Sequence, residues 1–378
     1  MADHLLVTND FPPKTGGIQV YLYELWRRLE PGRAAVLTAR SHVDAASFDA
    51  ASDVVVERVS TRTLFWPSLR TKRAIEAAID RHDPQLVLLD PAWPLGLIGP
   101  FLSRPFGVVL HGAEVTVPAR LPLIAATLRF VLTRARVAIC AGNYPEAEAR
   151  RCAKGAMAPV IQIAPGVDTE RFHPSNSASR AATRRRFHLK DDAFVVASYS
   201  RLVPRKGMDV LIRASAQLRK SYPELVVTIG GTGRDRARLE KLASQLAAPV
   251  VFLGRVGDDD LPAWLGASDL MVMDCRSRWA GFEQEGFGIV FVEAAACAVA
   301  VLAGRSGGSH DAVINESTGV ILDNPRSVED LAAAMARLID DESLRTRLGA
   351  AARLNAVAHF EWTSLSRALG AELALYDQ

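Results

Sequence analysis

Phe282-Glu283-Gln284-Glu285-Gly286-Phe287-Gly288-Ile289-Val290-Phe291-Val292-Glu293-Ala294 sets two carboxylates, Glu285 and Glu293, on either side of a Gly-Phe-Gly turn and an apolar run. A helix starting near Gly288 carries Glu293 about one and a half turns inside it and leaves Glu285 on the loop before. The unpaired N–H groups of such a helix start, together with the helix dipole, favour a diphosphate. Carboxylates beside them suit sugar and ribose hydroxyls. The stretch therefore points to a sugar-nucleotide site.

Around it the chain alternates strand and helix. Downstream, strands are expected at 194–200, 225–229, 250–253, 270–275, 300–303 and 319–322, with helices at 207–221 and 234–246. Upstream, strands are expected at 5–8, 34–38, 85–89, 106–110 and 137–141, with helices after Gly16-Gly17 and at 68–82 and 123–133. Short apolar runs alternating with amphipathic ones argue a parallel sheet covered on both faces in each half. Residues 166–190 lose this pattern to Pro, Ser and Arg, end in Thr183-Arg184-Arg185-Arg186, and read as the connection between the halves. Residues 360–376 read as one more helix, able to return to the first half. The expected architecture is α/β. Two Rossmann-like doubly wound domains, residues 1–168 with 360–378 and residues 169–359, face a cleft into which the carboxyl ends of their strands point.

The 378 residues exceed one ordinary core, and 49% hydrophobic with 23% charged residues is a globular composition. A formal charge of +3 is too weak to imply nucleic acid. Cys140, Cys152, Cys275 and Cys297 form no Cys-x-x-Cys or Cys/His cluster, so they read as reduced thiols of a cytosolic protein rather than a zinc or disulfide framework. Met1-Ala2-Asp3-His4-Leu5 lacks the features of a signal peptide, and no apolar run is long enough to cross a bilayer. Any membrane contact is expected to be peripheral.

Several motifs fall at strand ends. Gly16-Gly17 either lets phosphate or sugar approach bare backbone or simply turns the chain, and both readings stand here. Arg201-Leu202-Val203-Pro204-Arg205-Lys206-Gly207 gathers three cations suited to a diphosphate. Arg201 and Lys206 rank above Arg205, which Pro204 and the coming helix are expected to aim elsewhere. His111-Gly112-Ala113-Glu114 closes a strand, where the imidazole either serves the fold or meets a sugar hydroxyl. Gly231-Thr232-Gly233 lacks the third glycine of a dinucleotide fingerprint, which disfavours an NAD enzyme. Asp258-Asp259-Asp260 reads as helix capping, leaving no metal site. Gly304-Arg305-Ser306-Gly307-Gly308, followed by Asp323 and His359, matches a serine-hydrolase elbow with Ser306 as nucleophile. It comes too late in the chain for a hydrolase sheet, and a glycine loop offering amides to phosphate or sugar explains it more simply.

Taken together, Gly16-Gly17, His111-Gly112-x-Glu114, Gly166-Val167-Asp168 with Phe172, Arg201 with Lys206, and Glu285-x7-Glu293 resemble retaining glycosyltransferases of the GT-B fold, family 4. Within it, Thr8-Asn9-Asp10-Phe11-Pro12-Pro13 and Ser200 to Gly207 look most like the actinobacterial GDP-mannose-dependent phosphatidylinositol mannosyltransferases. The resemblance implies that Arg201 and Lys206 neutralise the leaving diphosphate and that Glu293 accepts from ribose hydroxyls. It implies that Glu285, with backbone around Gly286, Phe287, Gly288 and Ile289, holds the sugar, that Gly16 and Gly17 lie near the donor, and that His111 sits over the donor sugar. It implies no metal or other cofactor, a nucleotide sugar and a lipid acceptor as partners, and a place on the inner face of the plasma membrane. Leu121 to Arg136 and Ser68 to Arg73 are the basic amphipathic candidates for that contact.

Ala113, Trp279-Ala280-Gly281-Phe282-Glu283 and Ala296-Cys297-Ala298-Val299 depart from the family pattern and leave the acceptor open. The alternatives are a family 4 enzyme with another nucleotide sugar and a soluble acceptor, the Ser306 hydrolase, and a non-catalytic nucleotide-sugar binder.

Overall fold

Runs such as Leu5-Leu6-Val7 and Val195-Val196-Ala197 are apolar on both sides of the pleat, which suits a strand covered on both faces. A computed structural model of the chain, describing residues 2–40 and 44–376, buries all six side chains completely inside two parallel sheets. Residues 377 and 378 of the expected terminal segment lie outside the described residues. The chain divides into two compact units, Met1–Gly166 with Trp362–Gln378, and Val167–Glu361.

The first unit holds β1 (His4–Thr8), β2 (Ala34–Ala39), β3 (Val55–Val59), β4 (Leu86–Asp90), β5 (Phe106–Leu110), β6 (Ala138–Cys140) and β7 (Val160–Gln162). They run in the order β3-β2-β1-β4-β5-β6-β7. Its helices are α1 (Gly17–Trp26), α2 (Ala45–Ala50), α3 (Leu69–His82), α4 (Ala113–Ala119), α5 (Pro122–Leu132) and α6 (Asn143–Ala153). α3 shows how sequence sets the bounds: Ser68 accepts from the Thr71 amide at 3.1 Å, and Arg81 and His82 meet the negative end of the dipole.

The second unit opens with α7 (Ser177–Arg186), followed by β8 (Phe194–Tyr199), β9 (Leu225–Gly230), β10 (Val250–Gly254), β11 (Leu270–Met273), β12 (Ala300–Gly304) and β13 (Val320–Leu322). The order is β10-β9-β8-β11-β12-β13. α8 (Met208–Leu218), α9 (Arg236–Gln245), α10 (Leu261–Gly266), α11 (Ile289–Ala296), α12 (Val328–Asp340) and α13 (Glu342–His359) cover it. The last helix, α14 (Trp362–Leu373), belongs to the first unit, where Ser366 Oγ donates to the Leu25 carbonyl at 2.8 Å.

The stretch expected as a plain connection contains α7, which corrects that reading. Asn176 caps it by accepting from the Ser179 amide at 2.9 Å. Arg184, in the basic run that closes this stretch, is 4% exposed. Its guanidinium meets Asp269 Oδ2 at 2.7 Å and donates to the carbonyls of Ala267, Asp191 and Ala193 at 3.1, 2.8 and 2.9 Å. A buried charge is tolerated when its donors are all engaged. Local composition cannot show a partner so distant in sequence.

Candidate functional site

β8 and β11 are neighbours although the chain between them leaves to form β9 and β10, so the strand order reverses there. A crevice opens beyond the carboxyl ends of the strands at such a reversal. The loop after β8 runs through Pro204 to Gly207, whose φ of 71° and closeness to Asp274 require glycine: a Cβ there would stand 1.9 Å from the Asp274 carbonyl. That turn delivers Lys206, 8% exposed, to Glu285: Nζ lies 2.7 Å from Oε2 and 3.6 Å from Met273 Sδ.

Glu285 is held from behind by the turn after β12. Its amide donates to Ser306 Oγ at 3.2 Å, and its carbonyl accepts from the Gly308 amide at 2.9 Å. Gly307 has φ of +52°, and a Cβ there would come within 2.2 Å of the Glu285 carbonyl oxygen. Burial pushes the Glu285 carboxyl upward, but the charges of Lys206 and Arg205 outweigh it and hold the group below its ordinary range. The Gly-x-Ser-x-Gly motif is thus a cradle for an acid. Ser306 Oγ faces Ser277 Oγ at 3.3 Å, and Asp323 is paired on the surface with Arg305 at 2.6 Å.

α11 starts as expected, with Gly288 at φ 87° before it and Phe291 N–H donating to the Gly288 carbonyl at 2.9 Å. Among the described residues, the amides of Phe287, Gly288 and Ile289 meet no protein acceptor. The Phe287 ring itself is buried 5.7 Å from the Phe360 ring and anchors the turn. Glu293, on α11, is half-buried, and burial pushes its carboxyl up to about 7, against the charge of Arg171 and with that of Asp258. Arg171 stacks on Phe172 at 5.1 Å and donates to the Asp258 carbonyl. It is thus the cation that acts on Glu293, and only its place beside Phe172 in the sequence hinted at it.

Two further expectations are corrected, the aim of Arg205 and the capping role of Asp258-Asp259-Asp260. Arg205 is not aimed away: its Nε lies 3.9 Å from Glu285 Oε2 and its Nη1 lies 4.0 Å from Glu283 Oε1. The three-residue helical turn Pro204–Lys206 sends both cations the same way. Arg201, ranked above it, is exposed and makes no ion pair among the described residues. The Asp258-Asp259-Asp260 run gives no side-chain cap to α10; Asp260 pairs with Arg186 at 2.6 Å instead. Gly231 and Gly233 serve the cation loop: a Cβ on Gly233 would sit 2.2 Å from the Leu202 carbonyl, and Leu202 N–H donates to Thr232 at 2.8 Å.

The first unit has its own reversal, between β1 and β4. Thr8 Oγ1 donates to Asp90 Oδ2 at 2.6 Å, and His111 Nε2 lies 2.9 Å from Asp90 Oδ1. Burial opposes protonation of His111, but Asp90, with Glu114 and Asp10, raises its affinity for the proton above the ordinary value. Tyr21 presents its ring edge-on to the imidazole at 5.3 Å. Glu114 accepts from the Gly112 amide at 2.9 Å, fixing the turn into α4. Gly16 precedes α1, Gly17 begins it, and the Gln19 amide covers Gly16 while donating to Asp10 at 2.6 Å.

Two parallel Rossmann-like units, one with a cation–carboxylate cluster beside an open helix start, are those of a GT-B glycosyltransferase. The family model described as Glycosyltransferase Family 4 matches residues 15–171, and Glycosyl transferases group 1 matches residues 179–355. The chain is similar to the GDP-mannose-dependent alpha-(1-6)-phosphatidylinositol monomannoside mannosyltransferase of Mycolicibacterium smegmatis, 37% identical over 98% of this chain and 97% of that one. Its Mycobacterium tuberculosis counterpart is 38% identical over the same shares. Among solved structures, Anabaena Alr3699/HepE in complex with UDP superposes with a TM-score of 0.84 over 99% of this chain and 100% of that one, at 21% identity, a likeness of fold. The chain belongs to glycosyltransferase family 4.

Proposed function

We propose that the protein moves mannose, with retention of configuration, from GDP-mannose to a phosphatidylinositol mannoside. The observation that carries this reading is the full-length likeness to relatives named for that donor and acceptor. The geometry of the second unit supports it: Lys206 offers positive charge, Arg205 faces the acid Glu285, α11 offers free amides, and Glu285 and Glu293 offer acceptors for hydroxyls. Arg201 remains available at the same loop. In this reading the diphosphate charge is met by Lys206, Arg201 and the α11 amides, without a metal, and the transfer rate is unchanged in EDTA.

The finer part of the proposal is peripheral contact with an anionic membrane on its cytoplasmic face. No helix among the described residues is long and apolar enough to cross a membrane. Of the two amphipathic candidates, α5 commits Ala125, Leu128, Val131 and Leu132 to the core and leaves Leu121 and Leu123 exposed. The segment before and within α3 is better suited. Trp66 is 62% and Leu69 75% exposed, beside Arg70 and Arg73. They flank a recess of about 370 Å³ lined by Val59, Leu64, Trp66, Arg70 and Thr71 among others.

Transfer of radiolabelled mannose to phosphatidylinositol mannosides tests the main reading. Turnover is expected with GDP-mannose; turnover with a UDP- or ADP-sugar alone overturns the donor assignment.

A further inference from the structure

Glu285 is faced by two cations and touched by one. Lys206 from the loop after β8 is in contact at 2.7 Å, while Arg205 Nε stands off at 3.9 Å, buried and without a hydrogen-bond partner among the described residues. From the loop after β11 comes Cys275, its Sγ 3.5 Å from Glu285 Oε2. On the acid's own loop Glu283 is engaged by Arg278 at 2.9 Å, with Arg205 Nη1 a further 4.0 Å off. The Arg205 carbonyl accepts from the Arg276 amide at 2.8 Å, so its backbone is tied while its guanidinium faces both acids, at 3.9 and 4.0 Å.

A buried guanidinium N–H left unpaired costs free energy, and a nearby carboxylate is its natural partner. That partner is occupied as long as Lys206 holds it. If Lys206 turns to the diphosphate of a bound donor, Glu285 would lose its contact and, buried as it is, would be driven toward the protonated form. Arg205 stands where that loss can be made good.

We infer that Arg205 is a positioning residue: when Lys206 is engaged by the donor diphosphate, its guanidinium closes on Glu285 and keeps that carboxylate charged and aimed at the sugar. The inference rests on the donor reading proposed above and adds a division of labour within the basic loop. Lys206 meets the diphosphate, and Arg205 serves the acid.

The test compares R205Q, R205K and K206Q by GDP titration calorimetry and by kcat and kcat/KM for mannose transfer from GDP-mannose across pH. With R205Q, GDP affinity stays close to wild type, while kcat falls roughly tenfold or more. Its acidic limb moves to higher pH, because removing a cation raises the carboxyl. R205K, which keeps the charge, brings the limb part of the way back. K206Q loses GDP affinity. An R205Q limb and kcat equal to wild type overturn the inference, as does a loss of GDP affinity matching that of K206Q, which would make Arg205 a diphosphate ligand. Should R205Q not fold, R205K decides: a limb identical to wild type with unchanged kcat counts against the inference, and a displaced limb supports it. Wild-type protein that fails to use GDP-mannose sinks the donor reading itself, an outcome distinct from either.

Discussion

At the scale of single residues, the informative side chains are acids whose surroundings push them apart. In the role proposed for it, accepting from hydroxyls of the donor, Glu293 has to be ionised to act with full strength, and burial pushes it up to about 7. GDP-mannose affinity is therefore expected to rise with pH toward neutrality and level off above it. Below its midpoint the loss approaches about tenfold per pH unit, the weight of one proton. Glu285 is held low and does not titrate in that window. Titration calorimetry between about pH 5.5 and 8.5 should show the slope in wild type and its loss in E293Q; a slope unchanged in E293Q assigns it elsewhere. Asp274 makes the opposite kind of prediction. Both its carboxyl oxygens are buried without a hydrogen-bond partner among the described residues, and burial pushes it up to about 8, against Arg276 and with Asp209. The folded chain thus keeps a proton that the unfolded chain releases at lower pH, so the contribution to stability falls as pH rises from the ordinary carboxylate range to about 8. D274N should melt above wild type at alkaline pH, by about 2–4 °C per kcal/mol for a unit of this size, and the gap should shrink toward pH 5. A constant gap means the amide acts through packing. Neither acid announced its state in the sequence, because a carboxyl's proton affinity is set by what folds around it.

At the scale of elements, what could be read from the chain was whatever declares itself locally. β5 lies where its apolar run put it, and α11 begins after Gly288 because glycine takes the left-handed φ at that helix start. β3 escaped notice because it is an edge strand carrying Glu57 and Arg58 on half-exposed positions, and β7 is three residues long. α7 escaped because its stabilising partner, Asp269, is remote in sequence. The turn after β12 was legible in shape but ambiguous in chemistry. Its hydrogen bonds assign Ser306 to holding the Glu285 amide. S306A should therefore keep measurable transfer, with a loss near the worth of one hydrogen bond, about 1 kcal/mol or up to roughly tenfold in rate. Complete loss in a folded S306A would restore the nucleophile reading. G307A should do more damage, since its Cβ cannot be accommodated beside the Glu285 carbonyl without moving that residue. Comparing kcat for the two variants, with circular dichroism as a check on folding, separates a displaced acid from a missing nucleophile.

At the scale of the whole molecule, the question is how a chain with a net charge of only +3 finds a lipid acceptor. Overall charge is too small to steer it, so any attraction has to be local. Arg70, Lys72 and Arg73 lie on the first turns of α3, with Trp66 and Leu69 exposed beside them. Basic residues near an anionic surface contribute about 1 kcal/mol each within a Debye length, and an indole prefers the headgroup layer. Ile75, Ala78 and Ile79 root the helix in the core, so the exposed side chains sit on a fixed base. In co-sedimentation with vesicles, wild type should bind those containing phosphatidylinositol far better than neutral phosphatidylcholine, and binding should weaken as salt rises. Replacing Arg70, Lys72 and Arg73 together by Glu should abolish the preference while leaving GDP affinity intact, because the nucleotide site proposed above belongs to the other unit. W66A should weaken binding at all salt concentrations, since its loss is apolar. If the charge-reversed protein still partitions like wild type, the membrane contact is made by some other face, and the exposed Leu121 and Leu123 by α5 become the segment to alter next.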